Sequence, residues 1–370
     1  MWMHEHQNWP DFIWDTEELA SKLADTRHRQ GRLLGKMEGL GFELKREANL
    51  SILTSDVVKS SAIEGESLNP KEVRSSIARR LGIDIASSVP ANQDVEGIVE
   101  IMLDATQKFS EPLTKKRLFD WHAALFPTGR SGMRRIAVGN WRSVESGPMQ
   151  VVSGPIGREK VHFEAPNAER LEHEMTEFLI WFEGKDDIDP VLRAGIAHLW
   201  FVTIHPFEDG NGRIGRAIAD MALARADGMG DRFYSLSSQF ESERKDYYDQ
   251  LEKQERGTPE ITGWLKWFLD CLGRTIANAE NALSAVLFKA QLWEKINQQP
   301  VNERQRLIIN RMLEYDFKGY MNTSKYAKLA KCSPDTALRD IQNLKSRGIF
   351  IQNPGGGRST SYRLPDIISK

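Results

Sequence analysis

Cysteine is scarce in this chain: Cys271 and Cys332 are the only two among 370 residues, and their spacing suggests no partner. That shortage excludes a disulfide framework and a zinc site, and two reduced thiols are expected. Charge of one sign does not dominate either. Lys and Arg number 50 against 52 Asp and Glu, a net charge of −2, which excludes a globally basic nucleic-acid binder. Long hydrophobic runs are missing as well. The longest, near residues 196–204, is broken by His198 and Thr203 and falls well short of the roughly eighteen residues that span a bilayer, so no membrane partner is expected. The opening Met1-Trp2-Met3-His4-Glu5-His6 has neither the basic start nor the apolar core of a secretory signal, and cytoplasmic residence is the expectation.

What the chain does have is apolar material, 40% of its residues, spaced mostly at helical intervals. Glycine and proline concentrate instead around residues 147–157 and 355–357. The expected class is mainly α, with a helical core carrying a small β-hairpin, in two or three domains. Residues 1–90 read as a charged helical region, residues 91–290 as the chemical core, and residues 300–370 as a third module after the polar Asn297-Gln298-Gln299-Pro300. Within the core, Val151, Val152 and Val161 interspersed with Gly154, Pro155 and Gly157 predict the hairpin.

The chemistry concentrates in His205-Pro206-Phe207-Glu208-Asp209-Gly210-Asn211-Gly212-Arg213-Ile214-Gly215-Arg216. Asp189-Pro190 opens a helix before this segment and Pro206 must end it; the apolar stripe Ile214, Ile218, Met221 starts a second helix after it. The loop therefore ends at a helix N-terminus, where unpaired N–H groups and the dipole favour an anion. Gly210 and Gly212 let backbone approach phosphate oxygens, and Asn211 can cap the helix or donate a hydrogen bond. Arg213 and Arg216, on adjacent turns, suit a polyphosphate. Asp209 suits Mg2+ or Mn2+, and a neutral His205 can take a proton from a hydroxyl.

This segment resembles the motif H-P-F-x-[D/E]-G-N-G-R-x-x-R of the Fic family. The likeness extends to Trp141-Arg142 and to Tyr247-Tyr248 followed by Gly257 and Trp264. It implies an enzyme that moves AMP from ATP to a Ser, Thr or Tyr hydroxyl of a target protein, with His205 as general base and Asp209 holding the metal ion. By the same resemblance Gly210, Asn211, Gly212, Arg213 and Arg216 would bind the phosphates, and Tyr247 and Tyr248 the adenine. Val151, Val152, Ser153 and Gly154 would form a flap that docks the target as an added strand. Self-modification and a homodimer are also expected. The alternative reading is a nucleotide-sensing, DNA-binding transcriptional regulator.

Two flanking features complete the expectation. Leu50, Leu53, Val57, Ser60 and Glu64 recur three and four apart, so a hydroxyl and a carboxylate continue the apolar face of a helix ending at Gly65. Ser60-Ser61-Ala62-Ile63-Glu64-Gly65 also fits the family's inhibitory motif [S/T]-x-x-x-E-[G/N]. The resemblance implies that Glu64 holds Arg216 away from ATP, or positions a water that removes AMP. In the tail, residues 300–370 carry thirteen Lys or Arg against six Asp or Glu, a surplus that suits DNA phosphates. An Asn302–Gln305 capping box, a Thr323 cap and a Ser333-Pro334 start predict three helices, the third turning Leu338, Ile341 and Leu344 inward. With two strands around Gly355-Gly356-Gly357, the pattern resembles a winged helix.

Overall fold

A computed structural model describes every residue except 86–87, 155–157, 159, 298–300, 314–316, 318, 355–359 and 366–370, with backbone alone at 43, 284–291, 294–295 and 297. Among the described residues it is mostly helical, with three two-stranded antiparallel sheets. The contacts divide it into two compact units, Met1–Glu280 and Asn281–Lys370.

The first unit begins with α1 (Thr16–Glu38), capped by the Asp15 side chain accepting from the Glu18 N–H, and α2 (Phe42–Ile63). On α2 Leu50, Leu53, Val57 and Ser60 of the predicted inward stripe are buried, whereas Glu64 at its end is partly exposed. The helix stops where expected: Glu64 is its C-cap, and Gly65 turns left-handed at φ 84°. Asparagine caps start α3 (Pro70–Arg80) and α4 (Gln93–Gln107), and Thr114 caps α5 (Lys115–Leu125). The short hairpin of β1 (Arg130–Ser131) and β2 (Arg134–Arg135) follows, unannounced by any alternating apolar pattern.

The predicted hairpin is β3 (Gln150–Ser153) paired with β4 (Lys160–Glu164), with an irregularity between Val151 and Val152. Pro155 and Gly157 lie outside the described residues. Then come α6 (Leu171–Glu183), α7 (Pro190–Ile204) and α8 (Asn211–Asp227). Helix α7 is apolar almost all round and buried over nearly its whole length, packed by α6, by α8 and by Trp264, Leu265 and Phe268 at the start of the helix that follows α10. The first unit continues with α9 (Leu236–Ser242), α10 (Arg244–Glu255) and the start of α11 (Thr262–Asn297).

The second unit holds the end of α11, then α12 (Glu303–Met312), α13 (Thr323–Leu329), α14 (Pro334–Ser346) and the strands β5 (Ile351–Gln352) and β6 (Tyr362–Arg363). The Asn302–Gln305 capping box and the Ser333-Pro334 start form as read. Two details differ. Asn322 caps α13, its side chain accepting from the Lys325 N–H, and Thr323 is the first helical residue. On α14 Leu338 faces outward, because Ala337, Ile341 and Leu344 set the buried stripe about a third of a turn away. The inner face also takes an acid: Asp340 accepts from Asn302 Nδ2 and Arg304 Nε, both at 3.0 Å, and from the Tyr326 hydroxyl at 3.1 Å. The tip Gly355-Gly356-Gly357 lies outside the described residues.

Candidate functional site

The site is built where α7 ends and α8 begins. Asp189 and Pro190 start α7 as read, and the helix closes on His205 in a left-handed conformation, φ 51° and ψ 57°. This non-glycine residue with positive φ turns its ring back onto its own helix. Nδ1 lies 3.1 Å from the Val202 carbonyl, which only accepts, so Nδ1 carries the proton and Nε2 is the basic nitrogen. Burial pushes the imidazole down to about 4, against the opposing pull of that carbonyl, so the ring is neutral at physiological pH.

The loop between the helices is braced by its own side chains. Gly210, at φ 82°, is the N-cap of α8, a conformation that glycine adopts without strain. Asn211 does not cap. Its Oδ1 accepts from the Phe207 N–H at 2.9 Å and its Nδ2 donates to the Phe207 carbonyl at 2.8 Å, so the amide locks the turn and leaves backbone N–H groups of the helix end to face a ligand. Asp209 accepts from the Gly210 N–H at 2.6 Å through Oδ1 and from the Ser131 hydroxyl through Oδ2.

Three further residues brace this loop. His122 on α5 stacks on Phe207 with ring centroids 4.2 Å apart, donates to the Asp209 carbonyl at 3.2 Å, and accepts from the Gly139 N–H. Burial lowers its imidazole to about 4. Ser131 comes from the unforeseen first hairpin. Arg142 is buried with no carboxylate partner among the described residues: Nε donates to the His205 carbonyl at 2.8 Å, Nη2 donates to the Pro166 carbonyl, and its own N–H donates to the Pro206 carbonyl.

Glu64 pairs with Arg216 of α8. Arg216, 1% exposed, donates from Nη2 to Glu64 Oε1 at 2.8 Å and from Nε to the Ser60 hydroxyl at 2.9 Å. The same carboxylate occupies the mouth of α8, since a Cβ added to Gly212 would lie 2.2 Å from Glu64 Oε1. A side chain at Gly212 would have to push that carboxylate aside. Burial opposes ionisation of Glu64, but the Arg216 and Arg213 guanidiniums outweigh it and hold the carboxyl below its usual range. Arg213 has a carboxylate of its own that sequence reasoning passed over: Nη1 donates to Glu66 Oε2 at 2.6 Å. Among the described residues the buried donors Arg213 Nε and Arg216 Nη1 find no partner, which leaves hydrogen-bonding capacity for an anion.

A cavity of about 530 Å³ joins these parts. His205, Asp209, the Gly210 to Gly212 turn, Tyr247 and Tyr248 line it, as do Val151, Val152 and Ser153 of the hairpin. Tyr247 is buried with its hydroxyl 2.9 Å from His198 Nε2, whereas the Tyr248 hydroxyl reaches Glu64 Oε2 at 3.3 Å. The structure does not bring the arginines to the wall of this cavity. Arg216 is enclosed, and Arg213 opens onto an adjoining cavity of about 350 Å³ together with Glu66 and Ser131. No cluster of three or more His, Cys, Asp or Glu able to hold a metal ion occurs among the described residues. No helix among them is long and apolar enough to cross a membrane.

Parts of this chain match known proteins in sequence and in fold. Residues 112–223 match the model of the Fic/DOC family, and residues 2–83 match a domain of unknown function, DUF4172. Protein adenylyltransferase Fic of Culex quinquefasciatus is 26% identical over 270 residues, which are 70% of this chain and 48% of that protein. Protein adenylyltransferase fic-1 of Caenorhabditis elegans is 28% identical over 172 residues, 46% of this chain and 31% of that one. The chain thus spans half or less of the length of these curated relatives. Among solved structures, a Fic family protein from Desulfovibrio desulfuricans G20 superposes with a TM-score of 0.54 at 19% identity, covering 95% of this chain and 97% of that one. A Fic domain containing signaling protein from Bacteroides thetaiotaomicron VPI-5482 gives 0.52 at 21% identity, covering 69% and 96%. At such identities the structures speak to the fold, and they agree with the sequence match: residues 112–223 of this chain are a Fic/DOC family domain.

Proposed function

We propose that this chain is a protein adenylyltransferase that moves AMP from ATP to a Ser, Thr or Tyr hydroxyl of a target protein, and that Glu64 holds it in check. The observation that carries this reading is that a neutral His205 and an open helix N-terminus line one cavity, while both neighbouring arginines are engaged by carboxylates that a triphosphate would replace.

In this reading the Gly210 to Gly212 amides receive the α-phosphate, where preorganised N–H donors stabilise charge that grows in the transition state. His205 Nε2 takes the proton of the target hydroxyl as its oxygen attacks the α-phosphorus, and pyrophosphate leaves. Arg213 and Arg216 hold the outer phosphates once Glu66 and Glu64 release them. Asp209 fits Mg2+ or Mn2+: its carboxylate lines the cavity beside the Gly210 to Gly212 turn, and such an ion takes its remaining ligands from phosphate and water. Such an ion would neutralise phosphate charge beside Asp209. Tyr248 and the buried Tyr247 form the base pocket. The strand β3 has no third strand beside it among the described residues, so it can take up target backbone as an added strand.

Labelled ATP, Mg2+ and a cell lysate test the reading. Label on protein that appears with the Glu64→Gly form and vanishes with His205→Ala supports transfer; nucleotide binding without any label sinks it. The alternative of a nucleotide-sensing transcriptional regulator finds no support in relatives named as adenylyltransferases. The basic surplus of residues 300–370 and the exposed Arg339 and Lys345 of α14 support a winged-helix docking module there, for which strongly salt-dependent binding to duplex DNA is the test.

A further inference from the structure

The cavity holds a second imidazole that the transfer just described leaves unused. Ser153 Oγ, at the end of β3, lies 2.6 Å from His162 Nε2 on β4, and His162 Nδ1 lies 2.6 Å from Glu252 Oε2 on α10. With Glu252 ionised its oxygen only accepts, so Nδ1 carries the proton and Nε2 is left to accept from the Ser153 hydroxyl. Hydroxyl, imidazole and carboxylate in series make the arrangement by which a serine oxygen becomes nucleophilic. The hydrogen bond from His162 leads the influences that hold the Glu252 carboxyl below its usual range. Arg256 Nε at 3.1 Å and Lys160 Nζ at 3.7 Å also face Glu252. Arg256 Nη2 further donates to the Val161 carbonyl at 2.9 Å, tying the hairpin to α10.

Position matters as much as activation. Ser153, His162 and Glu252 line the same cavity as His205 and the Gly210 to Gly212 turn. Ser153 is exposed, and the Gly154 that follows it has φ 105°, a backbone state only glycine adopts readily. The geometry points to Ser153 as an acceptor of AMP within its own chain, activated by His162 with Glu252 as the positioning residue. This inference rests on the reading of the cavity as an ATP site. Ser153 Oγ forms a bond to the α-phosphorus of ATP, the bond from that phosphorus to the oxygen bridging to the β-phosphorus breaks, and pyrophosphate departs with the electron pair. The hydroxyl proton passes to His162 Nε2, and Glu252 faces the imidazolium that results. The product is a phosphodiester on the strand offered to targets, so self-transfer would fill the dock and compete with transfer to other proteins.

The test incubates the full chain in its Glu64→Gly form with labelled ATP and Mg2+, alone and with a lysate, and maps modified peptides by mass spectrometry. One adenylyl group is expected on the Ser153 peptide and none there in Ser153→Ala. His162→Phe should slow Ser153 labelling by roughly 100-fold and Glu252→Gln by about 10-fold, with far smaller losses in lysate labelling. That split separates an activating relay from a merely structural tie. An unmodified Ser153 beside labelled lysate proteins overturns the inference and leaves the transfer reading standing, and so does an equal loss of both labels in His162→Phe. Absence of label on every protein overturns both.

Discussion

Arg213 and Arg216 stand one turn apart on α8 and each meets a carboxylate from the same short segment, yet the two sides of that turn are built differently. On the Arg216 side the guanidinium is 1% exposed, and the Ser60 hydroxyl, the Ser60 carbonyl and Glu64 share its donors. On the Arg213 side the arginine is 6% exposed, but the Glu66 carboxylate is 47% exposed and is its one carboxylate partner. The Glu64–Arg216 pair, with side chains 29% and 1% exposed, is the more enclosed of the two, and losing its acid strands a buried charge; a pair whose acid half faces water is worth little. Two similar contacts in sequence are thus a firm latch and a loose one.

The largest way to break this comparison is Glu64→Gly. It empties the helix mouth and frees Arg216, and AMP transfer should rise on the order of 100-fold, the scale on which misplacement of reacting groups acts. Initial rates of labelling measure it, and an unchanged rate would remove the brake from the account. Next comes Ser60→Ala, which keeps Glu64 but deletes the hydroxyl that anchors Arg216 Nε. A hydrogen bond to a charged group is worth enough to predict a rise of roughly 10-fold. If Ser60→Ala matched Glu64→Gly, the carboxylate would not be the main element. Glu66→Gln should change the rate by no more than about 5-fold, as expected for a half-exposed pair; a larger effect would make the loose side firm.

Acid sharpens the contrast without mutation. Burial raises the Glu66 carboxyl, with Arg213 opposing, whereas the guanidiniums depress Glu64. A raised carboxyl disfavours the folded state when charged, and that penalty is relieved as pH falls through its folded pKa. A depressed one contributes stability above its unfolded pKa, and this is lost only as pH falls through the lower folded value. Glu66 should therefore neutralise first on acidification, with the Glu64–Arg216 pair intact. Carboxyl carbon shifts followed by NMR read the order, and Glu64 titrating first would reverse the assignment.

How much of this was legible follows from distance along the chain. The loop from His205 to Arg216 declared itself because its parts are neighbours, and two flanking stripes fixed the helices around it. Glu64 was readable because it continues the buried face of α2, so its orientation followed from period alone. Glu66 has no such stripe: it follows a glycine and reads as a solvated residue. His122 and Ser131 reach Asp209 from 87 and 78 positions away, a coincidence that no local pattern encodes. In the second unit the period was right but its phase slipped at Leu338, since alanine at 337 gave too weak an apolar signal to mark the inner face.

Arg142 gives the site one last property. The carboxyl end of a helix carries partial negative charge, and a histidine seated there ordinarily becomes more basic. Here burial already lowers the imidazole of His205, and the guanidinium of Arg142, which has no acid partner among the described residues and donates to those carbonyls, adds to the shift. The end of α7 is electrically quenched before any substrate arrives, and the ring stays free to accept a proton.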